Sequence, residues 1–398
     1  MSEEQAMGQQ AANRQAEGPA PLAGITVIEF THMVMGPSVG VILGDLGADV
    51  IKVEPPEGDR TRTLLGSGSG YFPMFNRNKR SICLDLKNPG DVAHAQALCA
   101  TADVVIENFR PGTLARLGLG YERLSRDNPG LIYCSAKGFL KGPYEERTAL
   151  DEVTQMMGGL AYMTGPPGRP LRAGASVIDI TGGMFGVIGI LAALEQRHRT
   201  GKGAEIKCSL YETTAFLVGQ HIAQKAVTGA AARPMPVRIS AWAIYDVFET
   251  ASEGEQLFVG VVSDGQWKTF CADFGLTMLA ERSEWDTNNE RVKAREEIMP
   301  VVSALFRAMP RAELIAKLEK SGLPFAPIAK PEELVEDAHL NAGGGLLNVT
   351  LADGTVARLP ALPLEIDGMR PGLFRDLPRP DEHGPELRAH LGEKLAGN

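Results

Sequence analysis

Short apolar runs separated by amphipathic stretches dominate the first half of the chain. Residues 24–30 read GITVIEF, a β-branched run that fits a buried strand. Pro37 then opens SVGVILGDLG, a helix that ends at Gly47. ADVIKVE (48–54) is the next strand. The rhythm recurs in SICLDL (81–86, strand), PGDVAHAQALCATA (89–102, helix), DVVIENF (103–109, strand), PGTLARLGL (111–119, short helix) and LIYCSAKGF (131–139, strand). Repeated strand–helix–strand units predict a parallel sheet covered by helices on both faces. The first half therefore reads as a doubly wound, Rossmann-like α/β domain.

Residues 150–163 read as helix and TGPPGRPLRAGAS (164–176) as loop. A helix is expected to begin near Thr181, with an apolar, small-residue stretch over 184–197 closed by basic residues and glycines. AEIKCSLYETTAFLVGQHIA (204–223) adds a strand and a helix. Composition changes at TGAAARPMP (228–236), which reads as a linker. Beyond it, strands AIYDVF and QLFVGVV alternate with helices EEIMPVVSALFRAM and RAELIAKLEKSG. The expected organisation is a flexible lead over 1–20, a large domain over 21–227, a smaller α/β domain over 228–330, and a segment over 331–398 that returns to the large domain.

Composition narrows the function classes. Hydrophobic residues make up 44% and charged residues 22%, the balance of a soluble globular chain. The longest apolar stretches, such as 187–194, fall short of the roughly 20 residues of a membrane span. The N-terminal residues carry no apolar signal region. Five cysteines at 83, 99, 134, 208 and 271 show no CxxC spacing, so neither zinc nor a disulfide framework is expected. A reducing cytoplasmic setting follows. A net charge of −9 argues against broad nucleic-acid binding, so an anionic ligand must be met by a local cationic cluster.

Several residues are candidates for chemistry. Asp179 sits at a helix start, where an aspartate serves as an N-cap or, kept ionised by the helix dipole, as a nucleophile toward an activated acyl group. Gly182 and Gly183 follow it and leave room for substrate, with N–H groups that could hold an oxyanion. GSGSG (66–70) is glycine-rich but does not link a strand to a helix as dinucleotide binding requires, and reads as a surface loop. NRNKRS (76–81) is a basic cluster of the kind usually solvated, here just ahead of a strand. Asn108, Phe109 and Arg110, and Lys137, Gly138 and Phe139, end two predicted parallel strands, where open α/β sheets bind ligands. His32, in FTHMVMGP, faces the same crevice. No histidine lies between 95 and 197, so a His–Asp pair close in sequence to Asp179 is ruled out.

Taken in order, FTHMVMGP, LGDLGADVIKVEPPEGD, FNRNKRSICLDLK, DVVIENFRPGTLARLGL, SAKGF and ID-x-x-GGMFGVIGILAALEQRHRTGKG resemble the family III CoA-transferases, closely over residues 20–215. The resemblance implies a Rossmann-like large domain, a small domain, and two chains interlocked as rings in a homodimer. It implies that Asp179 is the nucleophile and that coenzyme A and its thioesters are substrates, with no metal and no tightly bound cofactor. Family CoA contacts map onto Val34, Met35, Leu84, Lys87, Asn108, Phe109, Arg116, Lys137, Gly138 and Phe139. Acyl-CoA and a small carboxylate or dicarboxylate are the implied partners, with succinyl-CoA as a donor of the type. Arg172, Arg233 and Arg238 are candidates for a second carboxylate.

The chain departs from the formyl-CoA transferase branch at Pro55, where that branch has arginine, and at Phe139, where it has tyrosine; its small-domain glycine loop has no match. The racemase branch of the same superfamily uses a histidine at the position of Leu150, and leucine cannot move a proton. A nicotinamide-dependent oxidoreductase would need a GxGxxG turn after the first strand, which here reads THMVMGP.

Overall fold

The computed structural model describes residues 20–389; apart from Ala20, the N-terminal lead expected over 1–20 lies outside them. The described chain divides into two compact units. One runs to Pro236 and resumes at Val335; the other is Val237–Leu334.

The first unit is built on six parallel strands: β1 (Thr26–Phe30), β2 (Asp49–Glu54), β3 (Lys79–Cys83), β4 (Val104–Glu107), β5 (Ile132–Lys137) and β6 (Ala204–Ser209). Their order across the sheet is β3-β2-β1-β4-β5-β6. Side chains alternate between two buried faces, as a doubly covered sheet requires. Val27, Val50, Val104, Ile132 and Cys134 pack under the helices Met35–Asp45 and Val177–Thr200. Ile28, Ile51, Ile82, Val105 and Tyr133 pack on the other face, with Leu98 and Cys99 of the helix Pro89–Ala100. The strand order reverses direction between β1 and β4, and an open α/β sheet offers its ligand crevice beyond the carboxyl ends of strands at such a point.

The helix Val177–Thr200 has the length and apolarity of a membrane span by composition alone. Its glycines explain another use. A Cβ on Gly182 would stand 2.8 Å from Met35 Cε, and one on Gly183 would stand 2.9 Å from the Met35 carbonyl oxygen. The small residues let this helix lie directly against Met35–Asp45. The helix expected over 150–163 is instead two, Asp151–Met157 and Leu160–Thr164, broken where Gly159 takes φ +87°. The GSGSG stretch winds into a short 3-10 turn, Gly66–Gly70.

The basic cluster at 76–81 is not solvated. Asn76, Arg77, Asn78 and Lys79 are all buried. Lys79 Nζ lies 2.8 Å from Glu29 Oε2, Lys52 Nζ lies 2.9 Å from Asp59 Oδ2, and Arg77 Nη2 lies 2.7 Å from Asp45 Oδ2. Glu29 on β1 pairs in register with Lys52 on β2, which pairs with Ser81 on β3, so one row of the sheet carries charge through the interior. Burial, and then the neighbouring Lys52, bring the Lys79 ammonium down to about 8 against the pull of Glu29. A Cβ on Gly40 would fall 1.7 Å from Glu29 Oε2, so glycine there makes room for the carboxylate.

The second unit has its own core. Strands β7 (Ile244–Glu249), β8 (Gln256–Val261) and β9 (Phe325–Pro327) form an antiparallel sheet. Ile244, Leu257, Phe270, Ile298, Phe306 and Leu314 pack over it from strands and helices. In the first unit, β10 (Leu346–Thr350) and β11 (Val356–Pro360) make a separate hairpin.

Candidate active site

A cavity of about 270 Å³ opens at the switch point between β1 and β4. Its walls bring together His32, Val34, Met35, Asn108, Lys137, Gly138 and Asp179 from four separate stretches of chain. The turn after β1 is held in an uncommon conformation: Met33, not a glycine, takes φ +64°. The Asn108 side chain fixes that turn. Its Oδ1 accepts the His32 N–H at 3.0 Å, and its Nδ2 donates to the His32 carbonyl at 2.8 Å. The His32 ring stacks on Phe109, with centroids 5.5 Å apart. Gly138 is needed because a Cβ there would meet Ala149 Cβ at 2.3 Å.

Lys137 lines the cavity but is already engaged. Its ammonium lies 2.5 Å from Glu107 Oε1 and donates to the Phe109 carbonyl at 2.8 Å. Arg172 also lines the wall. Its nearest anions are Asp151 at 3.8 Å and Glu152 at 3.9 Å, and its buried Nε has no hydrogen-bond partner. Leu150 forms part of the wall as well, and supplies no proton-transfer group there.

Asp179 stands in the first turn of Val177–Thr200, with Ser176 before the helix. The helix thus starts four residues earlier than its sequence suggests, and Asp179 is not its N-cap. The cap comes from Asp151, buried at the start of its own helix. Asp151 Oδ2 accepts the backbone N–H groups of Ile178 at 2.9 Å and of Asp179 at 3.1 Å. Among the described residues, no donor hydrogen-bonds the Asp179 carboxylate. Burial, and then the Asp151 carboxylate, push its pKa up to about 7, with Arg172 opposing. The expectation of a dipole-stabilised, firmly ionised carboxylate is therefore corrected: the helix N–H groups are spent on Asp151, whose charge Asp179 feels instead.

The other sequence candidates are distributed differently. Gly182 and Gly183 lie past the first turn, where backbone N–H groups close the helical ladder rather than face a ligand. Their oxyanion role is replaced by helix packing. Leu84 is buried beneath the sheet end beside Phe109. Lys87 is exposed just beyond β3, and Arg116 is exposed on the short helix after β4. Phe139 packs on Tyr144 and Tyr211 and borders a second cavity of about 400 Å³ on the face of Tyr133 and Ser135. That cavity mixes Arg110, Arg123 and Arg126 with Glu122, Glu145 and Glu205 and holds no unbonded buried carboxylate comparable to Asp179. Arg238 belongs to the other unit, where it donates to the Tyr245 carbonyl at 3.3 Å. Among the described residues, no cluster of His, Cys, Asp or Glu is arranged to hold a metal ion. The Asp151 cap and the Asn108 clamp were not visible in sequence; the only local signals were an aspartate immediately after Leu150 and an asparagine at a strand end.

A carboxylate without a hydrogen-bond donor thus faces a crevice at the sheet's switch point. The chain belongs to CoA-transferase family III, whose model matches residues 22–384. It is 36% identical to a succinate–glutarate CoA-transferase of Agrobacterium fabrum, over 94% of this chain and 95% of that protein. It is also 36% identical to an acetyl-CoA:oxalate CoA-transferase of Acetobacter aceti, over 94% and 96%. The crystal structure of a CAIB/BAIF family protein from Brucella suis superposes with a TM-score of 0.81 at 34% identity, covering 94% of this chain and all of that one. The chain is thus a CoA-transferase, an enzyme whose substrates are CoA thioesters.

Proposed function

We propose that this enzyme moves CoA from a dicarboxylyl-CoA donor of the succinyl-CoA type to a small carboxylate or dicarboxylate, with Asp179 as the attacking group. The Asp179 carboxylate adds to the thioester carbonyl and the C–S bond breaks, giving a mixed anhydride and CoA thiolate. The thiolate attacks the aspartyl carbonyl of the anhydride, releasing the donor acid and leaving an aspartyl-CoA thioester. The acceptor carboxylate attacks that thioester, and the returning thiolate converts the new anhydride to acyl-CoA while freeing Asp179. Each step conserves the acyl activation, so no phosphoryl donor enters the balance.

The observation that carries this reading is the unbonded Asp179 carboxylate in the cavity wall at the switch point. Val34, Met35, Asn108, Lys137 and Gly138 are the proposed near contacts of the thioester arm; Phe109, Leu84, Lys87, Arg116 and Phe139 are proposed for the rest of CoA. Arg172, with its free Nε, is the proposed partner of a second carboxylate. Succinate, glutarate and oxalate in the relatives' names agree with a dicarboxylate. The enzyme is further proposed to work in the cytoplasm as an interlocked homodimer.

The test is mass spectrometry of intact protein after brief exposure to succinyl-CoA and a quench in hydroxylamine. A hydroxamate at Asp179, absent from Asp179→Ala, is expected, and that variant should lose transfer while keeping CoA-ester affinity. Full activity in Asp179→Ala sinks the assignment.

A further inference from the structure

Helix starts leave open N–H groups, and a first-turn aspartate ordinarily turns its own carboxylate back on them. At Val177–Thr200 that option is closed. Asp151 reaches across from a different helix and takes both the Ile178 and Asp179 N–H groups on one oxygen. Its other oxygen accepts Gln155 Nε2 at 2.5 Å. Gln155 Oε1 in turn accepts the Ala173 N–H at 2.8 Å, which ties down the loop bearing Arg172. One carboxylate is thus held from several sides, while its neighbour Asp179 is left with no donor.

We propose that Asp151 is a positioning residue for CoA transfer: by occupying the helix's open N–H groups it keeps the Asp179 carboxylate unbonded and turned to the substrate. This rests on Asp179 being the attacking group. A carboxylate with engaged lone pairs attacks more slowly, and a more basic carboxylate, whose conjugate acid is weaker, attacks faster once ionised. Asp151 works in both directions, sparing Asp179 the hydrogen bonds and opposing its ionisation through like charge. The other charged or titratable groups facing the cavity are Glu152 beside Asp151, Arg172 from the loop, Tyr71, His32 from the β1 turn and Lys137 from β5. All of them remain in a variant changed only at Asp151.

The experiment compares wild type, Asp151→Asn, Asp151→Ala and Asp179→Ala for three readouts: the pH profile of kcat/KM, the rate of hydroxylamine-trappable adduct with succinyl-CoA, and CoA-ester binding by thermal shift. Asparagine keeps an oxygen for the N–H pair and drops the charge, so the acid limb should move to lower pH by roughly half a unit or more. Alanine frees the N–H pair for Asp179, so trapping should slow by about a hundredfold with binding little changed. An unmoved acid limb in Asp151→Asn overturns the proposal, as does wild-type trapping in Asp151→Ala. Should Asp151→Ala not fold, the pH limb of Asp151→Asn decides alone. Transfer by Asp179→Ala would instead remove the nucleophile itself, a result separable from any behaviour of the Asp151 variants.

Discussion

Asp179 holds its charge against its surroundings, and that conflict can be measured without any substrate. Its carboxyl titrates near 7 in the folded protein, against an ordinary value of 3.8. A raised acid pKa means the folded state prefers the protonated form. The group therefore costs stability once pH exceeds the unfolded value, and the cost grows until pH passes the folded value. The full shift converts to roughly 4 kcal/mol, and partial exposure to water cuts this to about 2 kcal/mol. Asp179→Asn should thus raise the melting temperature at pH 8, and the advantage should shrink as pH falls from 7 toward 4. A pH-independent gain would mean that packing, not charge, is responsible. On the proposed role of Asp179 as the attacking group, the same titration sets the activity profile: kcat/KM should fall as pH drops below about 7, where the carboxylate becomes protonated. The place of Asp179 at a helix start was legible in its sequence neighbourhood. Its electrostatics were not, because the burial comes from the fold and the nearby like charge, Asp151, sits 28 positions earlier.

At the scale of elements, the strands were legible and the joints between elements were not. β-Branched runs such as TVIEF and DVIKVE mark strands because their Val and Ile residues fill both buried faces of the sheet, even though Glu29 and Lys52 interrupt them. The start of Val177–Thr200 was hidden because its cap is supplied by a distant side chain rather than by a local Ser, Thr or Asp. The basic run at 76–81 misled because its buried counter-charges, Glu29 and Asp45, come from other elements. Gly182 and Gly183 show the same dependence on a neighbour. Gly183→Ala would place a methyl 2.8 Å from Ser38 Cβ and 2.9 Å from the Met35 carbonyl. Backbone cannot yield as a flexible side chain would, so the two helices must part, at a cost of about 1–3 kcal/mol. Because Met35 and Asp179 ride on those helices, kcat should fall along with the melting temperature. A stable but fully active Gly183→Ala would show that the helix contact has slack.

At the scale of the molecule, the first unit is discontinuous in sequence: the chain leaves it at Pro236 and resumes it at Val335. Its last stretch closes an exposed flank. β3 is an edge strand, and edges offer unpaired backbone groups that proteins tend to cover. The Ser81 carbonyl accepts the His383 N–H at 3.0 Å, the Cys83 N–H goes to Asp381 Oδ1 at 2.8 Å, and Leu387 enters the core under β3. Asn78 is the clasp. At φ +60° it turns its Oδ1 to the Phe374 and Arg375 N–H groups at 2.7 and 2.8 Å, and its Nδ2 to the Gly372 carbonyl at 3.0 Å. Asparagine tolerates this left-handed backbone and carries both donor and acceptor, a pair of demands few residues meet. Asn78→Ala should leave two N–H groups and a carbonyl without partners and strain the backbone, lowering unfolding free energy by about 2–4 kcal/mol. Limited proteolysis should then cut first within residues 371–380, while the sheet core stays protected. Loss of stability with that segment still resistant would assign the closure to Asp381 and Leu387, and the order of cleavage decides between them.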